Sequence, residues 1–160
     1  MNRLATIVLV AVCLVSGCGY LSGSNDPGRT TDTASSAFDT TADRVDFLTD
    51  YITERSPILD TQFHIVYRDN STGMIPGPSD WTIRYAVRVD PGDLDLWTEG
   101  FAVIDPVENW DESMLAGWPI TTDSPVFYQR PGLTLAVYEA DGVVVGYDST
   151  VRLSESGGEL

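Results

Sequence analysis

One histidine and three arginines carry the spacing most suited to a binding site. His64 and Arg68 are four residues apart, and Arg84 and Arg88 repeat that spacing. Side chains four positions apart share a face of a β-strand, so pairing of the two segments would bring all four together. Because arginine binds carboxylate and phosphate through two parallel hydrogen bonds, the pattern predicts a site for an anion or an acidic partner. The alternative is cross-strand pairing with aspartates.

His64 is also the first residue to test as a catalyst or a metal ligand, since the chain has no second histidine. A zinc site would need further nitrogen or sulfur ligands, and a general base needs a nucleophile beside it. Neither a partner set nor a nucleophile motif accompanies His64. We therefore expect an ordinary surface histidine, and no cofactor.

Acidic residues are densest over residues 90–112. Calcium takes six to eight oxygen ligands, but the spacing is not that of a calcium-binding loop. Helix capping accounts for Asp90, Asp93, Asp105 and Glu108 without a metal. A pair of these carboxylates could also serve glycoside hydrolysis, although nothing in the sequence sets their separation. The sequence predicts no metal site and no enzymatic activity.

Four tryptophans are many for a chain of 160 residues. Trp81, Trp97 and Trp110 fit the apolar faces of predicted elements, so we expect them in the core. Trp118 lies in a loop between glycine and proline, and it is the tryptophan that we expect to contact a partner. Exposed aromatic rings also stack on sugars, which keeps a glycan-binding module open as the alternative.

The charge balance excludes one class of partner. The chain has 24 acidic and 9 basic residues, a formal charge of −15, and no lysine. A nucleic-acid surface needs clustered cations, so we expect no nucleic-acid partner. Such acidity instead favours a cationic protein partner through electrostatic steering. An apolar content of 42% excludes a fully disordered chain.

The N-terminus carries a targeting pattern. Arg3 precedes an apolar run from Leu4 to Val15, which has the length of a signal-peptide core. The following Val15-Ser16-Gly17-Cys18 resembles the lipobox of bacterial lipoproteins. That resemblance implies removal of residues 1–17 as a signal peptide and attachment of lipid, palmitate included, to Cys18. The protein would then be anchored in the cell membrane with its domain outside the cytoplasm.

Composition divides the remaining chain into three parts. Residues 18–42, which start at the lipidated Cys18, are rich in small polar residues and predict a flexible tether. Residues 43–153 predict a single domain, and residues 154–160 a frayed tail.

Periodicity predicts a helix over residues 43–55 and strands over residues 61–68 and 81–89. Start signals at Asp90 and Asp105, each followed by proline, predict two short inserted helices. The last third is apolar and alternating, with a hairpin signal at Asp141-Gly142. The fold class is therefore α+β: an N-terminal helix followed by a mostly antiparallel sheet, covered on one face.

The functional expectation combines these observations. We expect a lipid-anchored cell-envelope protein that acts as a non-enzymatic binding or inhibitory module for a protein partner. The expected binding residues are His64, Arg68, Arg84, Arg88 and Trp118. The alternative is a glycan-binding module that uses exposed aromatic residues.

Overall fold

The computed structural model describes residues 30–69, 79–122 and 124–150. It is an α+β fold in which two short helices accompany a seven-stranded antiparallel sheet. The helices are α1 (Thr41–Thr49) and α2 (Leu94–Thr98). The strands are β1 (Thr30–Ala34), β2 (Asp60–Arg68), β3 (Asp80–Arg88), β4 (Ala102–Ile104), β5 (Val126–Arg130), β6 (Leu133–Tyr138) and β7 (Val143–Ser149).

The strand order is β1-β2-β3-β7-β6-β5-β4. The chain therefore builds β1 to β3 from one side, crosses to the far edge at β4, and returns through hairpins until β7 pairs with β3. All nine residues of β2 have a partner in β3. The pairing on which the predicted histidine–arginine site depends is present, and it fixes which side chains share a face.

One face of the sheet carries the larger core, beneath the helices. Phe63, Ile65 and Tyr85 alternate with polar positions and are buried there. Helix α1 contributes the fully buried Leu48, and α2 contributes Trp97, whose Nε1 donates to Ser56 Oγ at 3.0 Å. These helices lie where the sequence predicted helices, although α1 ends at Thr49 and not at residue 55.

The opposite face is also covered, which corrects the expectation of a sheet packed on one side. Residues 105–122, hereafter the strap, run across it and enclose a second core with Ala86, Phe127 and Tyr138. β6 and β7 have apolar residues on both faces, so a single covered face would leave the second set in water.

The strap is not the second inserted helix that the Asp105 start signal predicted. Its regular part is one 3₁₀ turn, Ser113–Leu115, where Asp111 Oδ1 accepts from the Ser113 amide at 2.9 Å. Before that turn, Asn109 adopts a φ of 55°. An extended course lets widely spaced apolar side chains of the strap reach the sheet, and this packing overrides the local helix signal.

The sequence predicts a tether over residues 18–42 and a domain that starts at residue 43. The structure instead places residues 30–42 within the domain. Thr30–Ala34 is an edge strand paired with β2 along its length, and the helix begins at Thr41. The Thr40 hydroxyl accepts from the Asp43 amide at 3.1 Å and caps the helix. None of the five residues of β1 is fully buried. Backbone pairing forms the strand, and its sequence lacks the apolar alternation by which a strand is predicted.

Several predictions fall on residues outside the described ranges. These are the signal peptide (1–17), lipidation of Cys18 and the frayed tail (154–160). Within the described ranges, no helix has the length and apolarity needed to cross a bilayer.

The β6–β7 hairpin forms where Asp141-Gly142 predicted it. Tyr138 pairs with Val143, and a 3₁₀ turn ends at Gly142, whose φ is +62°. A Cβ on Gly142 would also lie 2.5 Å from the Val89 carbonyl oxygen. Both the backbone conformation and the close approach therefore require glycine there.

Gly146 on β7 provides a test of how tightly the sheet is packed. A Cβ at this position would lie 2.1 Å from Cζ of Tyr85, whose ring crosses β7 there. We expect Gly146→Ala to lower the free energy of unfolding by about 3 kcal/mol through overpacking, measured by urea denaturation. Tyr85→Ala removes the ring, so the double variant should lose less than the sum of the single losses. Additive losses would contradict this account.

Candidate functional site

The predicted binding residues share one face of the sheet, the one that the strap crosses. β2–β3 pairing sets His64 opposite Arg84, Arg68 opposite Asp80, and Arg88 opposite Asp60. The four side chains thus share a face, but the prediction that they lie together is wrong. In this antiparallel register Arg68 and Arg88 lie four residues from the His64–Arg84 pair in opposite directions, about 26 Å from each other. Their use in binding stays a prediction, and it depends on what each side chain contacts.

Two of the four side chains are engaged by aspartates, the alternative that the sequence left open. His64 Nε2 lies 2.6 Å from Asp32 Oδ1 on β1, and Arg84 Nη1 lies 2.6 Å from Asp111 Oδ2 on the strap. Both contacts are partly exposed, so each stabilises the fold only modestly. Neither group offers a free positive charge for a separate anion.

Trp118 and Arg88 contact each other. The Arg88 guanidinium carbon lies 4.7 Å from the centroid of the Trp118 ring, a cation–π arrangement. Trp118 also packs against the second core and is half-buried. The residue expected to reach a partner therefore helps to hold the strap on the sheet.

A cavity of about 520 Å³ lies beside these contacts, between the strap and the sheet. Its size is that of sites that hold small molecules or the side chains of a partner. The strap supplies one wall, and strands β3, β5, β6 and β7 supply the floor. The lining residues are Arg84, Val107, Asn109, Trp110, Asp111, Met114, Gln129, Thr134, Val145, Gly146 and Tyr147.

Trp110 is the main side chain of the cavity that sequence reasoning assigned only to the core. Its ring meets Phe127 edge to face, with centroids 5.4 Å apart. Its Nε1 is buried and has no hydrogen-bond partner among the described residues. Such an unpaired donor costs about 1–3 kcal/mol. No pattern in the sequence distinguishes a tryptophan that lines a cavity from one that fills a core.

Arg84 and Asp111 form the charged part of the lining. The Arg84 guanidinium carbon also lies 5.5 Å from the centroid of the Tyr147 ring. Hydrogen bonds from Ser113, together with the charge of Arg84, hold the pKa of Asp111 below its ordinary value. The pair therefore stays ionised at neutral pH, and the cavity combines a neutral ion pair with mostly apolar walls.

Two hydrogen bonds fasten the strap to the sheet within and just after the segment that lines the cavity. The Tyr138 hydroxyl donates to Glu112 Oε1 at 2.8 Å, and Gln62 Nε2 donates to the Ala116 carbonyl at 3.0 Å. Burial, with the bond to Glu112, raises the pKa of Tyr138, which therefore remains protonated. These contacts tie the cavity wall to β6 and β2.

Asp141 makes the densest attachment, at the end of the strap. Its two carboxylate oxygens accept four hydrogen bonds of 2.7–2.9 Å from the amides and hydroxyls of Thr121 and Thr122. Burial raises the pKa of Asp141, but these bonds outweigh it and lower the pKa well below its ordinary value. The ionised carboxylate therefore secures the strap to the β6–β7 turn.

The lining also offers uncharged hydrogen-bonding groups. Asn109, Gln129 and Thr134 provide amide and hydroxyl groups, and the lining contains neither histidine nor cysteine. Over the part of the chain that the structure describes, no three His, Cys, Asp or Glu side chains are grouped to hold a metal ion.

Comparison with protein-family models, curated proteins and solved structures finds no match to this chain.

Replacement of Asp141 tests the attachment of the strap. We expect Asp141→Asn to lower the free energy of unfolding by about 1–2 kcal/mol at pH 7, because the amide cannot accept all four bonds. A carboxylate with a lowered native pKa stabilises the protein above its unfolded pKa of about 4, and the effect is lost as pH falls. The difference between wild type and variant should therefore shrink below about pH 4.

Urea denaturation at a series of pH values measures both effects. The matched control is Asp46→Asn, which changes an exposed carboxylate on α1 and should alter the free energy of unfolding by less than about 0.5 kcal/mol. Equal losses in both variants, or a loss in Asp141→Asn that is constant down to pH 2, would refute the assigned role.

Proposed function

We propose that the protein is a lipid-anchored, non-enzymatic binding module of the cell envelope that binds a cationic protein partner at the cavity between strap and sheet. The observation that carries this proposal is the cavity of about 520 Å³ with apolar and aromatic walls. A concave, largely apolar site with a few convergent polar groups is typical of recognition. A partner would insert an apolar or aromatic side chain between Trp110 and Met114.

The charge around the cavity supports a cationic partner. Asp105, Glu108 and Glu112 are exposed on the strap beside the lining residues, and Asp111 already neutralises Arg84. The chain as a whole carries a formal charge of −15. Lysine or arginine residues around the inserted side chain would face these acids, and the field of the whole protein would speed their encounter.

The anchor sets where the partner must be. Lipidation of Cys18 would leave residues 19–29 between the membrane and β1. Eleven residues span at most about 40 Å when fully extended. The domain would thus stay close to the outer surface of the membrane, and a partner embedded in it or beside it would be within reach.

A glycan is the second candidate, and a specific observation favours it. Trp110 and Tyr147 present aromatic rings in the same cavity as the amides of Asn109 and Gln129. Aromatic rings pack on the C–H faces of sugars while amides bond to their hydroxyl groups. A cell-envelope module would meet such ligands in the cell wall.

Site-specific photo-crosslinking tests the protein partner. Val107 is 36% exposed at the cavity, and Leu59 is 59% exposed outside it. With a benzoylphenylalanine at residue 107, we expect capture of one basic protein from membranes of the source organism. The same probe at residue 59 should capture none. Asp105→Asn with Glu108→Gln should weaken the capture, as should 1 M salt, because screening then acts within about 3 Å.

The outcomes of this experiment are separable. Equal capture from residues 59 and 107, or capture unaffected by the two neutralised acids, would overturn the proposed partner. No capture combined with saturable quenching of tryptophan fluorescence by cell-wall saccharides would favour the glycan. That quenching should disappear in Trp110→Ala if the cavity is its origin.

Removal of the lipid acceptor tests the anchor. We expect Cys18→Ser to abolish labelling by radioactive palmitate, because the thiol is the lipid acceptor. Cys13→Ser is the matched control, because Cys13 lies within the signal peptide and should leave labelling unchanged. Labelling of Cys18→Ser, or loss of labelling in Cys13→Ser, would contradict lipidation at Cys18.

A further inference from the structure

A second cavity lies on the helix-covered face, opposite the strap. It is a cleft of about 90 Å³ lined by the segment that follows α1, by α2, and by strands β3, β5, β6 and β7. Arg55, Arg130 and Asp148 supply its charged groups, and Tyr85 supplies a hydroxyl, as do Tyr51 and Thr53. They converge on one small space although they come from separate parts of the chain.

The Tyr85 hydroxyl opens into this cleft and makes no hydrogen bond to another described residue. The residue as a whole is only 3% exposed, but its hydroxyl oxygen is not among the buried atoms that lack a partner. The ring reaches the cleft by crossing β7 at Gly146, where any larger residue would collide with it. The cleft therefore presents a hydroxyl donor that faces its open space and that a bound ligand could use.

The charges of the cleft do not neutralise one another. Arg55 and Arg130 bring two positive charges and Asp148 brings one negative charge, and within the described ranges no ion pair joins them. Arg130 instead lies over the Phe101 ring, 4.6 Å from its centroid. Burial raises the pKa of Asp148 while Arg130 lowers it. In a protein of formal charge −15, a cleft with a net positive charge is unusual.

We propose that this cleft binds a short-chain monocarboxylate, whose carboxylate lies between Arg55 and Arg130 and accepts a hydrogen bond from Tyr85. One monoanion would bring the charge of the cleft to zero. The aromatic side chains of Trp97 and Phe101 line the same space and would pack against the hydrocarbon tail. A cleft of about 90 Å³ has room for a carboxylate and a short hydrocarbon tail.

Isothermal calorimetry with sodium propionate, at constant ionic strength and pH 7, tests the proposal. We expect saturable binding of propionate and none of propionamide, which has the same shape without the charge. Saturable binding of both compounds with equal affinity, or no saturable binding of propionate at millimolar concentrations, would overturn the proposal.

Paired variants on the two faces of the sheet locate the site. Tyr85→Phe removes only the hydroxyl, and Arg55→Gln removes one charge, so each should weaken propionate binding by about tenfold or more. Tyr147→Phe and Arg68→Gln make the same chemical changes on the strap face and should leave binding unchanged. Equal effects on both faces would place the binding elsewhere. Circular dichroism checks that each variant is folded. If Tyr85→Phe is unfolded, Arg55→Gln still tests the site, because Arg55 lies on a loop.

This inference is independent of the proposed partner site. Its variants lie on the helix-covered face, whereas the crosslinking variants lie on the strap. Loss of propionate binding with retained partner capture, or the reverse, therefore identifies which of the two proposals has failed.

Discussion

The pairing of β3 with β7 is the contact on which the other parts of this fold depend. It joins strands from the two halves of the chain, and seven residues of each strand take part. At its centre the Tyr85 ring crosses β7 at the one position that has no side chain, Gly146. Without this pairing the sheet would separate into two smaller sheets, and neither core would close. Both cavities have walls that come from β3 and β7, so each depends on the same junction.

The two faces of the sheet are stabilised in different ways. The helix-covered face is closed by hydrophobic burial around Leu48 and Trp97. The strap has little regular structure and is held by polar contacts at Glu112, Ala116 and Asp141 as well as by its apolar side chains. A segment fixed by separate contacts can bridge a space that a continuous helix would fill. This is why the larger cavity lies beneath the strap.

The sequence predicts correctly those strands and turns whose local pattern, either apolar–polar alternation or a turn motif, decides the structure by itself. β2 and β3 alternate strongly, and the Asp141-Gly142 hairpin has its own turn signal, so their pairing and faces followed from the residues. The sequence predicts a tether at β1, and this is wrong because its threonines form a strand through backbone pairing alone. The sequence predicts a helix within the strap, and this is wrong because Asp105 and the following proline act locally, whereas distant apolar residues decide the course of the strap. Neither cavity was predictable, because each arises from gaps between elements far apart in sequence.

The position of β1 gives the proposed membrane attachment a mechanical consequence. β1 is an edge strand that contributes no fully buried side chain, and under that proposal it would follow the segment that leads from the membrane. A pull on that segment would act first on the β1–β2 hydrogen bonds, since the two cores lie behind them. Release of five residues would add about 17 Å of reach while both cores stayed intact. Under the proposed anchoring, the edge strand would therefore detach under tension and lengthen the linker before the rest of the domain unfolds.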